Sequence, residues 1–141
     1  MFISFVSGNK TLSDLATLFA RVGLSAIFIL AGMNKIQQYE GSAQYLASAG
    51  LPEGLLPLVI LFELGGGLLL LAGGLTQLIA LAFAGFSVVT ALMYHFQLDD
   101  QMQFIMFFKN IAMAGGFLAL AASGAGRFSL DQKLLSKTAK S

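Results

Sequence analysis

The chain has 141 residues, of which 57% are hydrophobic and 11% charged, with a net charge of +1 and a mean hydropathy of +0.80. A soluble domain carries about 25% charged residues, so this composition excludes an ordinary water-soluble domain and points to a bilayer. No basic stripe exists outside the last fifteen residues, which leaves nucleic-acid binding without an electrostatic basis. There is no cysteine, hence no thiolate metal site, iron–sulfur cluster or disulfide exchange from this chain, and the single histidine, His95, cannot make a bis-histidine haem within one chain.

The N-terminus lacks a basic leader segment, and Arg21 interrupts the first apolar stretch, so a cleaved signal peptide is not expected. A membrane helix needs about 20 mostly apolar residues, and four stretches qualify: 15–37, 54–73, 77–96 and 102–122. Between the first two, Tyr39 to Pro52 is polar-apolar, and 43–48 reads as a short interfacial helix stopped by Gly50. Gly73 to Gln77 and Leu98 to Gln101 read as tight turns, with an Asp suited to capping the last span. Short turns force antiparallel neighbours, so the expected fold is all-α: one integral membrane domain over 1–141, an up-down four-helix bundle with a short basic tail. No internal repeat is present.

Charge asymmetry gives an orientation. Lys10, Asp14, Arg127, Asp131, Lys133, Lys137 and Lys140 gather with both termini, whereas Glu40, Glu53, Asp99 and Asp100 lie at the other end, with Lys35 at its edge. The positive-inside rule places both termini in the cytoplasm, where the Asn9-Lys10-Thr11 glycosylation pattern has no role. The tail, Arg127 to Ser141, is expected on the inner leaflet, where anionic lipid attracts Lys and Arg.

Ionisable side chains within a bilayer are costly and persist when paired or functional. Glu63 and Lys109 sit at similar depths from the same side, about 13 Å and about 10 Å by the helical rise. An interhelical Glu63–Lys109 pair is therefore geometrically possible, either as a structural pin for helix register or as a proton-carrying or ligand-binding site, the alternative being a protonated Glu63 with a snorkelling Lys109. Gly66 and Gly67 share the Glu63 face, and Ala112 and Gly116 share the Lys109 face, so small residues would let the two helices approach. Arg21 and Lys35 fall on one stripe of the first span with Ser25, Phe28 and Gly32 between them. They read either as snorkelling cations or as the flanks of a slot for an anionic or carbonyl-bearing ligand. His95, at the end of the third span, reads as an interfacial hydrogen-bond partner or as a donor to a quinone carbonyl. Met102, Met106 and Met113 with Phe104, Phe107 and Phe108 read as lipid or helix packing, or as a surface suited to a quinone ring. Asn34 and Asn110 are candidates for bonds between helices. No metal site is expected, because one histidine and scattered carboxylates do not make a ligand set. Walker, dinucleotide, HExxH and GxSxG motifs are all missing.

Several local patterns occur in an order that resembles the DoxX family of small bacterial membrane proteins. They are Arg21-Val22-Gly23 through Lys35-Ile36, Glu63 with Gly66-Gly67, Gly73 through Thr76, Phe108-Lys109-Asn110-Ile111 with Gly115-Gly116, and Gly124-Ala125-Gly126 to Ser129-Leu130-Asp131. The resemblance, over about Leu18 to Asp131, implies a four-helix protein of the bacterial inner membrane. Some members of the family are associated with quinone-linked sulfur oxidation and others with oxidoreductase complexes; the resemblance transfers no catalytic residue set. Three functions are consistent with this reading: a quinone-interacting subunit of a redox system that needs a redox partner protein, a structural or assembly scaffold without activity, and a small-molecule or proton transporter acting as a homo-oligomer. The candidate ligand-binding residues are Lys35, Glu63, His95, Lys109, Asn110 and Arg21.

Overall fold

The computed structural model describes residues 4–140, so Ser141 of the expected tail lies outside the described residues. Helix α1 runs Lys10–Gln37, starting well before the apolar stretch because the Asn9 side chain accepts from the backbone N–H of Leu12 at 3.1 Å and caps it. Helix α2, Tyr39–Ser48, follows a break at Gln38 and ends where Gly50 takes a left-handed φ of 82°. The second span, α3, covers Glu53–Ala72. It opens as a 3-10 turn, with Pro57 in the first helical turn, and contains a π-helical segment, Leu61–Gly65. It ends on Gly73, φ 77°, with Gly74 N–H donating to Leu69 O and Gly73 N–H to Leu70 O. Helix α4 is Thr76–Tyr94, α5 is Gln101–Ser123 and α6 is Leu130–Lys140. Among the described residues there is no strand.

Four of these helices, α1, α3, α4 and α5, are long and apolar enough to cross a membrane. Helix α1 packs against α3 and α5, and α4 packs against α5 and α3. In this ring α3 and α5 stand on a diagonal. The core between the helices is aromatic: Phe28 stacks on Phe83 with centroids 4.1 Å apart, and Phe62, Phe86 and Phe117 close around them. Phe83 and Phe117 are fully buried. The outward faces carry exposed Leu30, Leu58, Leu61, Leu78, Leu81 and Leu118. An apolar surface on every side is what lipid tails cover; water would leave it unfavourable.

A smaller cluster, Ala43 and Leu46 of α2 with Leu56 of α3, holds the interfacial helix against the bundle. Tyr45 of α2 stacks on Tyr94 at the end of α4 at 4.6 Å, and partial burial pushes the Tyr45 phenol up from its ordinary pKa, keeping it a neutral hydroxyl. Two ends of the bundle are thereby defined. The loop end holds α2, Glu53 and the α4–α5 turn. The terminal end holds the start of α1, helix α6 and the α3–α4 turn.

Candidate functional site

At the loop end the Lys35 ammonium lies 3.0 Å from a Glu63 carboxylate oxygen. Both positions follow from helix periodicity. Arg21, Ser25, Phe28 and Gly32 are the buried residues of α1, and Lys35 continues that stripe by one more turn. On α3, Glu63 lies in the π-helical segment and is buried with Gly66, Gly67 and Leu70. The two helices approach closely because they lack side chains at the contact. A Cβ on Gly32 would meet Leu64 at 3.0 Å, and one on Gly67 would meet Ile29 at 2.7 Å. A Cβ on Gly66 would meet the Phe83 ring at 2.9 Å, which seats the aromatic core directly beyond the ion pair. A π segment lengthens the hydrogen-bond step from four residues to five, which widens the helix locally, and is frequent at functional sites. Glu63 is 4% exposed at its side chain and Lys35 28%, so the pair has one buried and one accessible partner.

The expected Glu63–Lys109 pair is corrected: Lys35 takes the Glu63 carboxylate, and among the described residues Lys109 makes no ion pair. Matching depth fixes one coordinate only. Glu63 and Lys109 stand on the diagonal helices α3 and α5, and Gly116, expected to open the way to α3, instead lies 3.4 Å from Leu24 of α1 by its would-be Cβ. Lys109 is half-buried beside the buried Asn110, whose side-chain amide donates to Thr90 Oγ1 at 3.1 Å and joins α5 to α4. His95 ends α4, and its Nδ1 is 2.7 Å from Gln103 Oε1 across the turn to α5. Met102, Phe104 and Phe108 are exposed on the outer face, as lipid-facing side chains are. An apolar groove of about 540 Å³ runs between α1 and α3 and is lined by Ile36, Tyr39, Ile60, Leu61 and Leu64, sequence neighbours of Lys35 and Glu63.

Arg21 belongs to the other end. Snorkelling is ruled out by its complete burial. Its guanidinium donates to Leu70 O at 3.2 Å, to Leu71 O at 2.8 Å and to Phe128 O, tying α1 to the end of α3 and to the segment after α5. Two carboxylates that the sequence reading gave no bonding role complete this knot. Asp131 accepts from the backbone N–H of Leu75 at 2.7 Å and of Thr76 at 2.8 Å, capping α4 from the tail. Asp14 pairs with Arg127 at 3.6 Å and accepts from its backbone N–H at 3.1 Å. One signal was available: the residue before α4 is Leu75, which has no side chain able to cap, so the helix needed an acceptor from elsewhere.

The family profile described as DoxX matches residues 16–96, more than half of the chain. The chain belongs to the DoxX family. The DoxX profile ends before α5, but similarity to a curated protein extends over most of the chain. The chain is 44% identical to "Inner membrane protein YqjF" of Escherichia coli (strain K12) over 91% of its own length and 98% of that protein's. It is 35% identical to "Inner membrane protein YphA" of the same strain, over 82% and 88%. It is 30% identical to "Putative oxidoreductase CatD" of Bacillus subtilis (strain 168), over 79% and 88%. No solved structure matches the chain. It is a membrane protein of the DoxX family, with four helices long and apolar enough to span.

Proposed function

We propose that this DoxX protein is the membrane-embedded subunit of a redox system and takes a quinone-type ligand at the loop end. The observation that carries this reading is the Lys35–Glu63 pair, a partly accessible cation on a buried carboxylate between two spans; an apolar groove between the same helices is lined by sequence neighbours of the pair, though by neither charged residue. The groove residues fit the isoprenoid and ring carbon of a quinone, and Tyr39 at its edge offers a hydroxyl. Lys35 would donate a hydrogen bond to a carbonyl oxygen, and Glu63 would hold or release the proton that reduction of that oxygen requires. The electrons come from a reduced soluble partner, since the chain has no redox-active group of its own. A relative is named a putative oxidoreductase, which supports the class of reaction. The names of the Escherichia coli relatives support placement in the bacterial inner membrane, and the basic terminal end supports cytoplasmic termini.

A scaffold without activity is the second reading, favoured by the closed aromatic core, which leaves the bundle centre filled. The same filling counts against a transport path through one chain; a homo-oligomer would have to carry solute between chains. Organic extraction and mass spectrometry of protein purified in mild detergent separates the first two readings. The quinone reading expects near-stoichiometric quinone, lost in folded Glu63→Gln or Lys35→Met protein. Quinone at the level of an unrelated four-helix membrane protein would overturn it.

A further inference from the structure

Given the quinone reading above, on which this rests, we infer that Gly65 is the specificity-determining residue of the α1–α3 groove and shapes it for a methyl-branched, isoprenoid chain. Gly65, Gly66 and Gly67 are consecutive in α3, and the last two have a reason within the protein. A Cβ on Gly66 would meet the Phe83 ring at 2.9 Å, and one on Gly67 would meet Ile29 at 2.7 Å. Gly65 has no such neighbour. A Cβ there would meet only the end of Leu61, at 3.8 Å, which is ordinary contact. Nor does the backbone require glycine, since its φ of −65° and ψ of −47° are those of any helical residue. Glycine weakens a helix interior relative to alanine. The side chain missing at Gly65 therefore leaves room outside the bundle, not within it.

That room belongs to the groove. Gly65 lines it together with Ile36, Tyr39, Leu61, Leu64 and Leu68. Leu61, Gly65 and Leu68 follow one another at spacings of four and three, so they share one face of α3. Leu61 and Leu68 are exposed, and Gly65 is a notch one side chain deep between them. A straight acyl chain laid along this wall bridges the notch and leaves a void. A chain with methyl branches places a methyl in it, which removes that apolar surface from water or lipid and restores the missing contacts. The position of the notch fits the ligand as well. Ile36 and Leu64, which line the groove, adjoin Lys35 and Glu63 in sequence. Gly65 is two residues beyond Glu63, about 3 Å further from the loop end by the helical rise. The stretch of chain nearest a head group at the ion pair is the stretch that passes the notch, and in a prenylated quinone that stretch is already branched.

Full-length protein in mild detergent is titrated with quinones that carry no chain, a decyl chain or a geranyl chain, the last two equal in carbon number. Benzoquinone and naphthoquinone heads are run in parallel, and bound quinone is counted by mass spectrometry. The geranyl form should bind more tightly than the decyl form by about fivefold. Gly65→Leu should weaken the geranyl form by about tenfold through overfilling and leave the chain-less quinone within about twofold. Adding Leu61→Ala to Gly65→Leu should restore geranyl binding, because the end of Leu61 is the one neighbour of the new side chain; a folding defect would not be rescued this way. Gly85→Leu, on the exposed side of α4 where a Cβ meets nothing, should change no affinity. Gly65→Ala repeats the measurement with a smaller group should Gly65→Leu protein fold poorly. Equal binding of the geranyl and decyl forms, or a loss in Gly65→Leu as large for the chain-less quinone as for the geranyl form, would overturn the role of Gly65 and leave the quinone site standing. Binding of every quinone at the level of an unrelated four-helix membrane protein would overturn the quinone site and the role of Gly65 together.

Discussion

The two ends of the bundle each hold a basic residue of the same helical stripe, and they treat it in opposite ways. Arg21 is held by main-chain carbonyls of Leu70, Leu71 and Phe128, acceptors that carry no proton and cannot titrate. Lys35 is held by one carboxylate, that of Glu63, at 3.0 Å. The first arrangement is a fixed joint between three segments. The second is a contact between two side chains from two spans, one buried and one partly accessible. Residue type suits each end, because a planar guanidinium serves several carbonyls at once, whereas a single ammonium suits one movable partner.

The largest expected effect breaks the fixed end. Arg21→Met takes the guanidinium donor from the Leu71 and Phe128 carbonyls, Leu70 O keeping the Gly73 N–H, and should lower stability by about 3 kcal/mol, and Arg21→Lys should fail to restore it, both read by thermal unfolding in detergent. If Arg21→Lys were neutral, the distinction between the two ends would collapse. Next, Lys35→Met and Glu63→Gln should each destabilise, while the double variant should recover about 1–2 kcal/mol relative to the sum. Glu63→Gln with Lys109→Met should instead add within about 0.5 kcal/mol, because α3 and α5 are diagonal. A coupling between Glu63 and Lys109 as large as that with Lys35 would refute the ring order. A third effect sharpens the terminal end: Asp131→Ala should cost about 1–2 kcal/mol through the lost α4 cap. The smallest is Asn110→Ala, at about 0.6 kcal/mol, the typical worth of a hydrogen bond between membrane helices.

Much of this architecture is legible in the sequence because a bilayer imposes strict rules. Four apolar stretches, short turns and glycine stops at Gly50 and Gly73 follow from the length a span needs and from the left-handed backbone only glycine adopts easily. The stripe Arg21-Ser25-Phe28-Gly32-Lys35 was also readable, since helical period alone aligns it. Helix adjacency was not. Depth placed Glu63 level with Lys109, yet which helices touch depends on packing at Gly32, Gly66, Gly67 and Gly116, and several orders of four helices satisfy the same depths. Nor did the charge of Arg21 or Asp131 announce its role, because the acceptors of Arg21 and the donors to Asp131 are backbone groups, which every residue carries. The π segment at Leu61–Gly65 left no pattern in side-chain chemistry.

The joint at Arg21 also has a direction in time. Its acceptor at Phe128 lies 107 residues further along the chain, and the carboxylate that caps α4 comes later still, at Asp131. During synthesis the first span enters the bilayer with a guanidinium whose last acceptor has not yet been made, and α4 inserts with open N–H groups at its start. The bundle can therefore be finished only from its tail. A ribosome that stops at Gly126 would release four complete spans that share one unlatched end.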